Sequence, residues 1–372
     1  MAGKIGVGII GASAERGWAL AAHIPALRAL PNYEIRAISA SRRESAERSA
    51  RALGVGLAFE HHRELLARPE VDLAVIAVNV TRHREVALAA IEAGKMVFCE
   101  WPLGRNLAEA EEIAAFARQK GVKTVIGLQG IFAPAVRYLR DLVAEGYIGK
   151  LLGTRMAGTG PDEVWAGVLG PAYEFHADVT NGATLLSIPA GHALAQLRFA
   201  LGELASVSST LIARRGEALR VRDNVTIAMT AQDQIAFSGT LENGALASVH
   251  YRGGPSREPD FVWAIHGTDG DIVLSAEHGY ANISELEIRG ARGNEPLEAL
   301  PIPKKYRLAP AELAGAAVNV ASLYAQFARD LDEGTTLAPD FDAAVRLHRL
   351  IDAIERADRE GTRQTLAPDP RV

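Results

Sequence analysis

The apolar positions of the first 128 residues follow a repeated order. A short run that is apolar on both faces is followed by a segment whose apolar side chains recur every three or four residues. Strands are expected at 4–10, 33–40, 73–78, 96–99 and 124–128, and helices at 14–30, 43–53, 82–93 and 107–119. Strands buried on both faces and separated by helices pair in parallel through right-handed crossovers. Residues 1–129 are therefore expected to form one domain around a doubly wound parallel sheet.

After Gly130 the rhythm changes. One more helix, 134–145, precedes a stretch from 153 to 290 in which period-two patterning dominates. Alternating runs at 224–240 and 245–252 flank Glu242-Asn243-Gly244, and Asn-Gly between such runs marks a hairpin. Further strands at 261–265, 271–276 and 286–289 extend the pattern, and helices at 311–333 and 340–359 follow a proline-rich loop at 296–310. The expected fold class is α/β plus α+β: an N-terminal Rossmann domain and a C-terminal open antiparallel β-sheet domain, 130–372, for substrate and oligomerisation, with the final helices packing back. A sheet covered on one face by its own domain leaves the other to be buried elsewhere, so a homodimer or tetramer is expected.

Composition narrows the function classes. The 372 residues are 48% hydrophobic, enough for two domains, and 45 acidic against 40 basic side chains give a net charge of −5. Such a balance provides no overall field for nucleic acid or an anionic membrane. No apolar run approaches the roughly 20 residues of a membrane span, and the opening residues lack the apolar core of a signal peptide. The single cysteine, Cys99, excludes an intrachain disulfide and a thiolate zinc cluster, and the adjacent His61 and His62 have no third ligand in view, so no metal is expected. A cytoplasmic protein with a small-molecule substrate fits these properties.

A literal G-x-G-x-x-G occurs at Gly6, Gly8 and Gly11, but Gly6 and Gly8 fall inside the first strand, whereas the dinucleotide fingerprint places its glycines at the strand-to-helix turn. Read from Gly11, the turn is Gly11-Ala12-Ser13-Ala14-Glu15-Arg16-Gly17-Trp18. Small residues there admit a pyrophosphate to backbone N–H groups ahead of a helix N-terminus; a tight β–α turn without ligand has the same composition. The second strand ends in Ser39-Ala40-Ser41-Arg42-Arg43, without the acidic residue that binds the ribose hydroxyls of NAD. A hydroxyl beside two guanidinium groups suits a 2′-phosphate, which makes NADP the expected cofactor with NAD as the alternative. Ser41-x-x-Glu44 also has the form of a helix capping box.

The run Gly94-Lys95-Met96-Val97-Phe98-Cys99-Glu100-Trp101-Pro102 resembles the G-K-x-V-x-x-E-K-P segment of the Gfo/Idh/MocA oxidoreductase family. Gly146 to Gly149 resembles that family's G-x-I-G, Gly267-Thr268-x-Gly270 its G-T-x-G, and Asp352-Ala353-Ile354 its final helix. The resemblance implies a Rossmann domain joined to an antiparallel sheet and hydride transfer to or from a sugar- or polyol-like substrate. Trp101 stands where the family carries lysine, and the family's D-x-G-x-H-x-x-D segment appears as Ser187 to Ala195 without its aspartates, keeping only His192. Arg16-Gly17-Trp18, Glu100-Trp101 and Ser187 with Gly191-His192 resemble the branch that contains the galactose-regulon co-repressor, a non-catalytic member.

Oxidising an alcohol needs a base for the hydroxyl proton and a donor or cation beside the oxygen. Trp101 has one neutral N–H and no basicity. His192 aligns with the family's histidine and is the expected proton-transferring group, with Tyr173 or His176 as replacements for the missing lysine. The cofactor-binding candidates are Gly11, Ser13, Ala14, Trp18, Ser41, Arg42, Arg43, Asn79, His83, Glu100, Trp101 and Gln129. Two functions stand: an NAD(P)-dependent oxidoreductase, and an NADP-binding regulator that docks on a protein partner.

Overall fold

The computed structural model describes residues 3–367, which form two compact units: one from residues up to 129 with 307–346, the other from 130–306 with the chain from 347 onward.

In the first unit, six parallel strands form a sheet in the order β3-β2-β1-β4-β5-β6: β1 (Ile5–Ile10), β2 (Tyr33–Ser39), β3 (Leu57–Phe59), β4 (Leu73–Ile76), β5 (Met96–Glu100) and β6 (Thr124–Gly127). Helices α1 (Ile24–Ala29), α2 (Arg43–Leu53), α3 (His62–Leu66), α4 (His83–Glu92) and α5 (Leu107–Lys120) connect them. All residues of β1 and β4 are buried, as a sheet covered on both faces requires. Gly6 and Gly8 belong to this packing. A Cβ on Gly6 would lie 2.0 Å from the Glu70 carbonyl oxygen, and one on Gly8 2.6 Å from Leu65 Cδ2.

The helix Ala317–Glu333 packs in this unit against α1, and its Tyr324 ring lies 4.8 Å from Phe98 and 5.2 Å from Tyr33. The expected helix at 14–30 is shorter. A left-handed Gly17 (φ 97°) ends an irregular loop, and a π-helical turn, Ala19–His23, leads into α1. Short strand β3 and helix α3 were not expected.

In the second unit, helix α6 (Pro134–Ala144) precedes strand β7 (Leu151–Gly160), the two-residue β8 (Val168–Leu169) and helix α7 (Gly191–Leu201). Strands β9 (Leu204–Ile212), β10 (Glu217–Arg220), β11 (Val225–Ala228), β12 (Gln234–Leu241), β13 (Leu246–Gly253), β14 (Phe261–Gly267), β15 (Gly270–Ala276), β16 (Glu287–Arg292), β17 (Glu298–Ala299) and β18 (Gln364–Thr365) follow. Nine of them form a sheet in the order β17-β16-β15-β14-β7-β13-β12-β9-β18. It is mixed rather than purely antiparallel, because the central pair β7 and β13 runs parallel. The expected strand 224–240 is two strands: Asn224 takes a left-handed φ of 56°, β11 pairs with β10 in a separate three-stranded sheet, and only β12 enters the large one.

Alternation sets the faces of the large sheet. Met156, Ile235, Phe237, Val249, Tyr251 and Trp263 are buried, while Arg155, Ser208, Thr210, Ala236, Ser238 and His250 are exposed on the opposite face. The turn Thr240 to Leu246 carries the Asn-Gly signal, with Gly244 at φ 86° and the Asn243 side chain accepting from the Ala245 N–H at 3.1 Å.

Candidate cofactor edge and candidate active site

Strand register aligns one edge of the first unit's sheet. Ile10 pairs with Ser39 and with Ile76, Ile76 with Cys99, and Glu100 with Gly127. The residues that follow these carboxyl ends, including Gly11, Ser41, Asn79, Trp101 and Gln129, therefore gather at that edge. β1 lies between β2 and β4, where chain order reverses, the place at which open α/β sheets bind ligands.

At Gly11 the chain turns with φ 96°, and a Cβ there would stand 2.7 Å from the Ala77 carbonyl oxygen, so glycine is required. The Gly11 and Ala12 N–H groups donate to the Ser39 carbonyl at 3.0 and 3.1 Å, and the Ala14 N–H donates to Ser49 Oγ at 3.2 Å. The Glu15 N–H donates to Ser13 Oγ at 3.2 Å. The amides of Gly11, Ala12 and Ala14 are thus already engaged, and the π-helical turn begins only after Trp18. That corrects the expectation of a helix N-terminus directly behind Ala14. Trp18 Nε1 is buried without a hydrogen-bond partner. Ser49 was not singled out beforehand; a serine on the buried side of a helix carries no sequence mark.

At the end of β2, Arg42 occupies the N-cap position of α2 and no side chain caps that helix. The capping box at Ser41 is therefore not formed. Ser41, Arg42 and Arg43 are all exposed. Arg43 lies 3.7 Å from both Glu47 and Glu64, and Arg48 lies 3.1 Å from Glu15, while the Arg42 side chain makes no ion pair or hydrogen bond among the described residues. No carboxylate belongs to the strand end itself.

The other half of the edge is more enclosed. Gln129 is 1% exposed, and neither its Oε1 nor its Nε2 has a partner. Trp101 is buried, and the Glu100 side chain is 12% exposed. Asn79 is exposed and accepts from the Thr81 hydroxyl. In His83, Nδ1 lies 2.7 Å from the Pro102 carbonyl and Nε2 3.0 Å from the Val78 carbonyl, and burial pushes its pKa down despite them. A neutral imidazole donates from one nitrogen only, so the ring hydrogen-bonds one of these carbonyls while its other nitrogen faces the second.

In the second unit, a π-helical turn, Leu186–Ala190, with Pro189 inside it opens into α7. Ser187 Oγ donates to the Gly182 carbonyl at 2.7 Å and accepts from the Thr184 N–H at 2.9 Å, which fixes the start of the helix. From Gly191 through Leu197 every residue of α7 is buried. His192 lies there with Nδ1 buried and unpartnered, and burial alone pushes its pKa down to about 3. One turn on, Gln196 Nε2 donates to the carbonyls of Gly130 and Ala281 at 3.2 and 3.0 Å, leaving its buried Oε1 without a partner.

Tyr173 is half exposed, and its ring lies 6.0 Å from that of His176. His176 is buried among aromatic rings, 4.3 Å from Phe175 and 4.9 Å from Trp165, and its Nδ1 lies 2.8 Å from the Ala183 carbonyl. Burial pushes its pKa down to about 4. A ring so enclosed at neutral charge does not replace a lysine ammonium, which removes His176 from that role. Among the described residues no three His, Cys, Asp or Glu side chains are placed to hold a metal ion, and no helix is long and apolar enough to cross a membrane.

A family model described as an oxidoreductase family with an NAD-binding Rossmann fold matches residues 5–128, and one described as the C-terminal domain of Gal80p matches residues 134–276. The galactose/lactose metabolism regulatory protein GAL80 of Saccharomyces cerevisiae is 31% identical over 323 residues, 79% of this chain and 72% of that protein. The chain belongs to the Gfo/Idh/MocA oxidoreductase family, near its Gal80 branch. Dehydrogenase aclE of Aspergillus oryzae is 38% identical over 219 residues, 56% of this chain and 57% of that protein. A super-repressor mutant of Gal80p from Saccharomyces cerevisiae has a structure that superposes with TM-score 0.86 at 25% identity, covering 97% of this chain and 98% of that one. Levoglucosan dehydrogenase in complex with NADH and L-sorbose shares the fold, with TM-score 0.86 at 22% identity over 98% of this chain and 99% of that one. The family's fold is thus present over nearly the whole chain.

Proposed function

We propose that the protein binds a nicotinamide dinucleotide at the carboxyl edge of the first unit, NADP in preference to NAD, and acts as a slow or narrow oxidoreductase on a sugar- or polyol-like substrate. The observation that carries this reading is the buried, wholly unpartnered amide of Gln129, just past the carboxyl end of β6. A buried primary amide without hydrogen bonds costs several kcal/mol unless a ligand supplies them. The glycine-only turn at Gly11 and the unpartnered Trp18 N–H provide a cradle and a further donor at the same edge. Gly11 and Ala14 would shape the phosphate turn, Ser13 and Trp18 would hold the phosphates, Ser41, Arg42 and Arg43 the 2′-phosphate, and Asn79, Glu100, Trp101 and Gln129 the nicotinamide half. When bound, the cofactor supplies the hydride acceptor or donor.

The chain's own contribution to chemistry is smaller. His192, neutral at physiological pH, is the proton acceptor for an alcohol, and its depressed pKa makes it a weak base. Trp101 excludes water and offers a stacking face but no charge. Losing a preorganised donor beside the oxygen lowers rate by about 10²–10³. An absorbance screen of nicotinamide reduction over sugars, polyols and their lactones tests the reading. Slow turnover abolished by His192→Ala, with cofactor affinity retained, supports it; turnover unaffected by that change removes His192 from the chemistry.

A second reading is favoured by Trp101 in place of the family lysine and by the identity to GAL80 along most of the chain. In it the protein binds NADP, performs no hydride transfer and docks on a protein partner. Cofactor binding without reduction over the whole panel selects it. In either reading the exposed small and polar face of the large sheet is the surface for pairing two copies.

A further inference from the structure

His23 is fully buried, and it is neither a cofactor candidate nor part of the chemistry above. It lies in the π-helical turn Ala19–His23, packed edge-on against Phe98 and Tyr324 at 5.2 and 5.8 Å. Its Nδ1 lies 2.8 Å from the Tyr324 hydroxyl, and its Nε2 lies 3.0 Å from Glu100 Oε1 in a bent contact. Neither Nε2 nor Oε1 has a hydrogen-bond partner, so their approach is a close polar contact without hydrogen-bond geometry. The Glu100 carboxylate rests on the bare Cα of Gly127, where a Cβ would stand 2.7 Å from Oε1 and 3.0 Å from Oε2. Tyr324 is itself anchored, its carbonyl accepting from the Tyr33 hydroxyl at 2.8 Å.

A ring hydrogen on Nε2 facing the carboxylate, with Nδ1 accepting from the Tyr324 hydroxyl, suits these contacts. The three side chains line up as Tyr324, His23 and Glu100, running from the helix Ala317–Glu333 through the sheet core to the carboxyl end of β5. Burial pushes the Tyr324 pKa well above the ordinary value, so the donor keeps its proton.

We propose that His23 is a positioning residue for Glu100: the Tyr324–His23 pair holds one carboxylate oxygen inward and leaves the other to accept hydrogen bonds from the nicotinamide half of a bound dinucleotide. This rests on the cofactor reading above, in which Glu100 touches that half. It assigns a function to a buried histidine inside an otherwise apolar segment, and to a glycine at 127 that keeps the carboxylate's place clear.

Two measurements separate the inference from the reading it rests on. Ring ¹⁵N shifts of His23 in the unliganded protein report the tautomer directly. The expected result is a single Nε2–H form that is lost or mixed in Tyr324→Phe; a Nδ1–H form in the wild-type protein overturns the chain whatever the cofactor. Calorimetric titration then compares the full dinucleotide with its fragment lacking nicotinamide, 2′-phospho-ADP-ribose. His23→Gln and Tyr324→Phe are expected to weaken the dinucleotide about tenfold and leave the fragment unchanged, the loss of roughly one hydrogen bond's orientation. Equal weakening of both ligands, or of neither, overturns the positioning role. Wild-type protein that binds neither ligand overturns the cofactor reading and with it the role of Glu100, while the tautomer result still stands. Tyr324→Phe removes only an oxygen from a packed ring, so the test survives if His23→Gln fails to fold.

Discussion

Arg42→Ala isolates the 2′-phosphate contact, because the arginine has nothing else to lose. It is exposed, stands at the N-cap of α2 without a side-chain cap, and its guanidinium makes no ion pair or hydrogen bond among the described residues. Its removal is expected to change stability by less than about 0.5 kcal/mol, as for surface sites without special contacts. A charge-assisted hydrogen bond to phosphate contributes about 1.5–3 kcal/mol, which corresponds to roughly 10- to 150-fold in affinity. NADP should weaken by that factor in Arg42→Ala and NAD by less than about twofold. Arg43→Ala is the internal comparison: it removes two 3.7 Å ion pairs between half-exposed partners, each contributing about 0–1 kcal/mol, so its effect on NADP should come with a small loss of stability. Calorimetric titration of both dinucleotides, with thermal unfolding alongside, reads all of these. Equal wild-type affinities for NADP and NAD, or an Arg42→Ala change that weakens both alike, would refute the assignment.

Gly6→Ala should destabilise more than Gly8→Ala, because the first Cβ meets a backbone oxygen at 2.0 Å and the second a flexible leucine end at 2.6 Å. Chemical unfolding should place Gly8→Ala at about 1–3 kcal/mol, the ordinary cost of overpacking, with cofactor affinity retained; loss of affinity without loss of stability would return these glycines to the phosphate turn. Burial lowers the pKa of His176 to about 4 and of His192 and His348 to about 3, so each binds a proton on unfolding in acid. Their contribution is fully present above the unfolded value near 6.5 and is lost as pH falls toward 4–3, by up to about 1.4 kcal/mol per pH unit per histidine. Urea unfolding between pH 7 and 5 should show this slope, shallower in His192→Gln; an unchanged slope contradicts the assignment. Light scattering should give a dimer or a larger even assembly, and a 39.7 kDa species at micromolar concentration argues against the sheet face as a pairing surface.

The strands of the first unit were legible because burial on both faces leaves unbroken apolar runs, as in Ile5–Ile10 and Leu73–Ile76. β3 and β18, three and two residues long, are too short to show a period. α7 went unseen within a stretch read as β-rich, because a helix buried all round has no polar face to mark its turns. The parallel pairing of β7 with β13 at the centre of the large sheet is a long-range contact that no local pattern encodes. At the site, position relative to strand ends put Gly11, Glu100 and Gln129 among the candidates. The backbone carbonyl of Pro102 that faces the His83 ring and the link from Tyr324 to His23 depend on neighbours distant in sequence.

The central claim is that the carboxyl edge of the first unit binds one nicotinamide dinucleotide through groups now lacking partners. Native mass spectrometry of the purified protein titrated with NADP, run beside Gln129→Leu, tests it most directly. The expected result is a mass increase of one dinucleotide per chain, with occupancy at equal ligand reduced about tenfold or more when the Gln129 amide is removed. No adduct at millimolar NADP or NAD, or full occupancy unchanged in Gln129→Leu, would contradict it.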